Sequence, residues 1–289
     1  MPSCSARSRA PSLRPSARTD NDSRIPTVTA NGIQLYYERD GSGPRLLFLN
    51  GSGATLATSA LLIAPFAAHF EVVAHDQRGL GNSAIPLGPY SMADYAEDAI
   101  ALLDALGWDR CRVVGVSFGG MVAQELAVTA PDRVERLALC CTSPGGASRA
   151  SYPLHELGDL PPEERAEIGT RLLDTRFDAD WLATHPSDRR LAELMSARRA
   201  DSTKGAEQLH ARARHDVCDR LHLVKAPTLV AGGRYDGIAP AANSEAVAAL
   251  VPDAELRLYE GGHAFFAQDS RALPDILAFL SGGLGSSRA

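Results

Sequence analysis

The sequence predicts an α/β protein: a mostly parallel eight-stranded sheet flanked by helices, with an inserted helical lid. Short continuous apolar runs, such as Leu46 to Leu49 and Val113 to Val116, read as strands buried on both faces, and they alternate with amphipathic segments. Between Gly145 and about Leu223 no such run is evident. One strand-to-helix junction carries Gly115-Val116-Ser117-Phe118-Gly119, a turn sharp enough to strain its central residue and to crowd the positions two before and two after it.

Taken in order, Val28 to Arg39 reads as a β-hairpin, because Asn31-Gly32 supplies the positive φ angles of a tight turn. Arg45 to Asn50 is a buried strand that runs into the flexible turn Asn50-Gly51-Ser52-Gly53-Ala54-Thr55, before a helix around Leu61 to His69. Phe70 to His75 is the next strand, followed by the polar turn Asp76 to Ser83. Ser91 and Asp94 form a capping signal for a helix that Gly107 stops near Leu106. Arg112 to Val116 is a strand, Phe118 to Ala130 a helix, and Val134 to Cys141 a further strand. In the interruption, Pro162 to Leu173, Asp188 to Arg199 and Lys204 to Val217 are amphipathic helices, the first opening on proline and glutamates. Sheet logic resumes with a strand at Ala226 to Ala231, a helix at Ala241 to Leu250, a strand at Ala254 to Tyr259 and a helix at Ser270 to Leu280. The domain organisation expected is therefore a core from 25–144 and 224–281, a helical cap at 145–223, and tails at 1–24 and 282–289.

Composition narrows the partners. The net charge of -6 and pI near 5.8 argue against nucleic acid or an anionic membrane surface. No run approaches the about 18 apolar residues of a membrane span. Five cysteines without metal-type spacing suit buried reduced thiols and a cytoplasmic setting, with no metal and no cofactor. Residues 1–24, rich in serine, arginine and proline, fit a disordered, dispensable tail, with a transit peptide as the competing reading.

In an open parallel sheet, ligands bind beyond the carboxyl ends of the strands. Three such ends carry suitable groups: Ser117, then Asp236 in Gly232-Gly233-Arg234-Tyr235-Asp236, then His263 in Glu260-Gly261-Gly262-His263. The Asp236 carboxylate can accept the Nδ1 proton of His263, leaving Nε2 to take the proton of the Ser117 hydroxyl. Each residue also has a plainer reading: a solvated serine on a glycine-rich turn, a helix cap for the segment after Pro240, and a polar loop histidine near Asp269 and Arg271.

From about Thr27 to Leu280 the chain resembles the α/β-hydrolase fold enzymes. Gly115-Val116-Ser117-Phe118-Gly119-Gly120 is similar to their nucleophile elbow, Gly233-Arg234-Tyr235-Asp236-Gly237-Ile238-Ala239-Pro240 to their acid loop, and Gly261-Gly262-His263 to their histidine loop. Asp76 to Ser83 resembles the turn after their fourth strand. The resemblance implies catalysis by Ser117, Asp236 and His263, and an oxyanion hole of two backbone N–H groups, from Ser52 and Phe118. Where many members have His-Gly, this chain has Asn50-Gly51, a tolerable departure because the hole uses main chain. A serine nucleophile implies attack on a carbonyl and an acyl-enzyme, unlike the aspartate of dehalogenases and epoxide hydrolases on the same fold.

The function expected is a serine hydrolase of a carboxylic ester or lactone, and the Leu49 to Thr55 loop, the Asp76 turn and the lid size resemble the branch of 3-oxoadipate enol-lactonases and small-molecule esterases. A cofactor-free perhydrolase, a carbon–carbon bond hydrolase and a slow-turnover signalling receptor remain alternatives on the same three residues. Phe177, Trp181 and Met195 in the lid are candidates to line the substrate pocket, though any one of them could simply hold the lid to the core. Lid arginines Arg171, Arg176, Arg189 and Arg212 could bind a substrate carboxylate or lie on solvated helix faces. The expected partner is a small-molecule ester or lactone, with homodimerisation left open.

Overall fold

The computed structural model describes residues 26–200 and 205–283, so the expected tail at 1–24, most of that at 282–289 and the first residue of the helix expected from Lys204 lie outside the described residues. Eight strands form one sheet: β1 (Thr27–Ala30), β2 (Ile33–Gly41), β3 (Arg45–Leu49), β4 (Glu71–His75), β5 (Cys111–Val116), β6 (Val134–Cys140), β7 (Thr228–Gly233) and β8 (Glu255–Tyr259). Their order is β1-β2-β4-β3-β5-β6-β7-β8. Both pairings of β2 are antiparallel and the rest are parallel. The β1–β2 turn takes the form its sequence dictates, with Asn31 at φ 47° and Gly32 at φ 74°.

Helix α1 (Leu56–Ala67) precedes β4, α2 (Met92–Ala105) precedes β5, and α3 (Phe118–Thr129) follows it. Between β6 and β7 lie α4 (Gly146–Arg149), α5 (Pro162–Leu173), α6 (Ala179–Thr184), α7 (Pro186–Ala200) and α8 (Ala206–Ala213), with 3₁₀ turns at Leu154–Asp159 and Cys218–Leu223. The core closes with α9 (Ala241–Leu250), α10 (Phe265–Gln268) and α11 (Ala272–Leu280).

Four expected helices differ in their ends, the one expected from Asp188 starting at Pro186. The one expected from Leu61 starts at Leu56, because Thr55 caps it reciprocally with Thr58 and the Asp76 carboxyl accepts the Leu56 N–H at 2.7 Å. The one expected to reach Val217 ends at Ala213, and the chain then bridges back to Gly145 through Asp216. The last one starts at Ala272 rather than Ser270, separated from α10 by Asp269, whose carboxylate binds the Arg271 backbone and guanidinium. The short α6 was not expected; Asp178 caps it by accepting the Trp181 N–H at 2.8 Å.

The apolar strands explain the layering. Alternate residues point to opposite faces, so Leu47, Leu49, Val113, Leu137, Leu139 and Val230 join one buried cluster with α2 and α3. Leu46, Phe48, Val114, Ala138, Cys140 and Leu229 join a second with α1 and α11. The cap helices keep a separate small core of Leu173, Phe177 and Ala192. Among the described residues no helix is long and apolar enough to cross a membrane.

Candidate active site

Ser117 sits between β5 and α3 at φ 57°, ψ −115°, a left-handed conformation that costs a non-glycine residue energy. The neighbours leave no alternative. A Cβ on Gly115 would strike the Gly119 carbonyl, and one on Gly119 would strike the carbonyl of Leu49 at the end of β3. The Ser117 N–H donates to the Cys140 carbonyl of β6 at 2.8 Å, and Thr142 Oγ1 donates to the Ser117 carbonyl at 2.8 Å. Gln124 then ties the first turn of α3 to the strand exit, donating to the Gly120 carbonyl at 3.0 Å and the Ser143 carbonyl at 3.1 Å.

The structure brings the three sequence-predicted side chains into one chain of hydrogen bonds. His263 Nε2 lies 2.9 Å from Ser117 Oγ, and His263 Nδ1 lies 2.7 Å from Asp236 Oδ2. A carboxylate only accepts, so Nδ1 carries the proton and Nε2 is left to accept from the serine. Asp236 is held by its other oxygen, which accepts the N–H groups of Ile238 and Ala239 at 2.8 Å each. Its helix-cap reading is thus partly realised, on the turn before α9, by the oxygen that does not face the histidine. The His263 N–H donates to the Leu173 carbonyl at 2.6 Å, the Gly237 N–H to the Leu172 carbonyl at 3.1 Å, and Gly262 is packed so tightly on Leu173 and Asp174 that no side chain fits. The end of α5 therefore wedges both loops in place.

The turn after β3 lies directly against Ser117. A Cβ on Gly51 would be 3.5 Å from the Ser117 Cβ, an ordinary van der Waals distance, which places this turn in contact with Ser117. Phe118, buried at the start of α3, has an N–H that a helix's first turn leaves without an intrahelical acceptor. Two glutamines that sequence reasoning missed hold the turn: Gln77 Nε2 donates to the Asn50 carbonyl at 2.8 Å, and Gln208 Oε1 on α8 accepts the Gly53 N–H at 2.7 Å. Asp76 is fully buried beneath it, and burial pushes its carboxyl up from the usual range while the Leu56 and Asn82 N–H groups oppose that. At the far end of the histidine loop, hydrogen bonds from Arg271 hold the Asp269 carboxyl well below the usual carboxylate range.

The pocket candidates have a structural occupation of their own. Phe177 is buried in the cap's core, with Trp181 and Met195 packed on it, and that cluster reaches Ala264 beside His263. Trp181 stacks on His185 and donates from Nε1 to Asp188 at 2.8 Å. A cavity of about 610 Å³ opens on α5 and α6, lined by Arg171, Phe177 and Leu182 among others but by none of Ser117, Asp236 and His263. Of the lid arginines, Arg171 and Arg189 are exposed, and Arg176 pairs with Asp174 and lies over the Tyr235 ring. Arg212 departs from the solvated-face expectation: it is buried. Among the described residues no group of three or more His, Cys, Asp or Glu is placed to hold a metal ion.

Residues 44–270 match the model of a family described as the alpha/beta hydrolase fold. The chain is 29% identical over 243 residues to a poly(3-hydroxyalkanoate) depolymerase of Ectopseudomonas oleovorans, covering 81% of this chain and 83% of the relative. It is 29% identical over 245 residues to 3-oxoadipate enol-lactonase 2 of Acinetobacter baylyi, covering 82% and 89%. Among solved structures it superposes on the enol-lactonase of Burkholderia xenovorans LB400 with a TM-score of 0.75 at 26% identity, covering 89% of this chain and all of that one. With the strand order, the strained serine turn and these likenesses together, the chain belongs to the α/β-hydrolase fold family and is a hydrolase.

Proposed function

We propose that this hydrolase cleaves a carboxylic ester or lactone through an acyl-enzyme on Ser117. The observation that carries the reading is the continuous Ser117–His263–Asp236 hydrogen-bond chain, 2.9 and 2.7 Å long, at the ends of β5, β8 and β7. As Ser117 Oγ attacks the carbonyl carbon, His263 Nε2 takes its proton, and the imidazolium formed is stabilised by Asp236. The N–H groups of Ser52 and Phe118 receive the charge that develops on the carbonyl oxygen. Collapse breaks the carbon–oxygen bond to the alcohol, which leaves with the proton from His263. Water then attacks the acyl carbon with His263 again as base, releasing the acid and Ser117. The relatives named for depolymerase and enol-lactonase activity support an ester or lactone.

A panel of short and long acyl esters and lactones, run with wild type and Ser117→Ala, tests this. The variant should lose at least about 10⁴-fold in kcat, and a fluorophosphonate should label the wild type at Ser117 alone. Equal activity of the two proteins would overturn the mechanism.

A further inference from the structure

Three glutamines near the site, Gln77, Gln124 and Gln208, each leave one end of the side-chain amide buried without a partner among the described residues. Gln268, the last residue of α10, uses both ends. Its Oε1 accepts the Gly262 N–H at 2.9 Å, and its Nε2 donates to Asp174 Oδ2 at 2.9 Å and to Asp188 Oδ1 at 3.5 Å. A backbone N–H only donates and an ionised carboxylate only accepts, so these partners fix which way the amide faces. The fit is close: a Cβ on Gly261 would stand 2.6 Å from Gln268 Oε1 and 2.8 Å from its Cβ.

His263 sits on the loop after β8, an edge strand with β7 on one side only. On that side the N–H groups of Arg234 and Tyr235 donate to the Tyr259 and Gly261 carbonyls at 3.0 and 2.9 Å. The cap supplies support from elsewhere. The His263 N–H reaches the Leu173 carbonyl directly, and the Gly262 N–H reaches Asp174 through Gln268, so two successive residues of the loop are tied to two successive residues of the cap. Asp174 is a firm anchor, because it is fully buried and Arg176 engages both its oxygens, from the backbone N–H and Nε at 3.0 and 2.9 Å and from Nη2 at 2.7 Å. Arg176 lies in turn over the rings of Trp181 and of Tyr235, the neighbour of Asp236. Asp188 also accepts the Trp181 Nε1–H, so the aromatic packing of the cap and the histidine loop share a carboxylate.

We propose that Gln268 is a positioning residue for His263: by linking Gly262 to Asp174 and Asp188 it makes the geometry of the base depend on the seating of the cap. The inference rests on the Ser117 acyl-enzyme reading above. Gln268 acts through the Gly262 main chain, and loss of either end of the link lets His263 Nε2 shift relative to Ser117 Oγ. A misplacement of about 1 Å in a reacting geometry can cost about 100-fold in rate.

The test splits the two ends of the amide. Gln268→Glu keeps an acceptor for the Gly262 N–H and loses the donor, whereas Gln268→Lys keeps a donor for Asp174 and loses the acceptor. Each should lower kcat about tenfold on the ester and lactone panel with KM within about twofold of wild type, counted per site titrated with a fluorophosphonate and read on the pH plateau of each protein. Gln268→Glu combined with Asp174→Asn reverses the polarity of the link, since the new amide can donate to the new carboxylate, and should return kcat to within about threefold of Asp174→Asn alone. Full kcat in either single variant would overturn the link, as would a lowered melting temperature with kcat per titrated site unchanged. Should neither variant fold, Gln268→Asn, with the same amide on a shorter stem, should show the tenfold loss, and full kcat there would sink the idea. A second readout needs no turnover: in Ser117→Ala, the proton that His263 Nδ1 donates to Asp236 should give a low-field NMR resonance, which Gln268→Glu should shift or broaden. An unmoved resonance would overturn the proposal. Failure of wild type to cleave any ester or lactone would count against Ser117 chemistry instead, and the resonance would still report on Gln268.

Discussion

At the ends of β5, β7 and β8, Ser117, Asp236 and His263 are linked through His263 by hydrogen bonds of 2.9 and 2.7 Å, and glycines at 115, 119 and 262 are jammed against neighbouring main chain. The cap is put together differently. Its own buried core is three residues, Leu173, Phe177 and Ala192, and beneath it Arg212 and His215 lie buried with orphaned nitrogens. The sheet ends are therefore fixed by the protein's own hydrogen bonds and main-chain contacts, as positioning for catalysis demands. The space under the cap is lined by polar side chains, Ser143, Arg212 and His215 among them.

The sharpest way to break that contrast is at Asp236. Asp236→Asn should keep the fold, because one side-chain oxygen can still accept the Ile238 and Ala239 N–H groups, yet kcat should fall about 10⁴-fold as His263 loses its orienting anion. Steady-state kinetics beside a circular-dichroism melt would show it, and unchanged kinetics would move the acid elsewhere.

A smaller effect compares one buried histidine from each region. Burial pushes His75 at the end of β4 and His215 beneath the cap each down to about 4, against 6.5 for an exposed imidazole; Glu125 and Asp216 pull His215 upward but burial dominates. The folded value is the lower one, so between pH 6.5 and 4 the unfolded chain binds more protons. Stability is full above pH 6.5 and drains as pH falls towards 4, by up to about 3 kcal/mol for each histidine. Urea midpoints from pH 7.5 to 4.5 should fall less steeply in His75→Gln and in His215→Gln than in wild type. Parallel slopes in all three proteins would contradict the burial argument.

The smallest effect joins the two regions. Gln208→Ala removes the cap's hydrogen bond to Gly53 while leaving every triad contact, so kcat/KM should drop about fivefold, the equivalent of about 1 kcal/mol. A drop shared by all acyl lengths would mean that the cap tunes the oxyanion turn, and a length-dependent drop would mean that it acts through substrate contacts alone.

How much of this was legible beforehand follows the same division. Ser117, Asp236 and His263 could be found because each follows a segment that reads as a strand, and a parallel sheet sends all such ends to one edge. Gly115 and Gly119 were legible for the same reason, as positions that a tight turn must crowd. Gln77 and Gln208 were not: their partners are 27 and 155 residues away, and no local pattern marks a polar side chain that will meet a distant main-chain group. The start of α1 was missed because Asp76, after the next strand, completes its cap.

By itself, the order of apolar runs, turns and glycines determined the α/β sheet, the strained serine turn and the choice of Ser117, Asp236 and His263 as the proposed triad, since these depend on periodicity and on local backbone geometry. Only the tertiary structure decided which lid residues face inward. An amphipathic helix states that it has a buried side but not what covers that side, and so the sequence could not separate Arg212, buried beside the triad, from Arg189, exposed on α7.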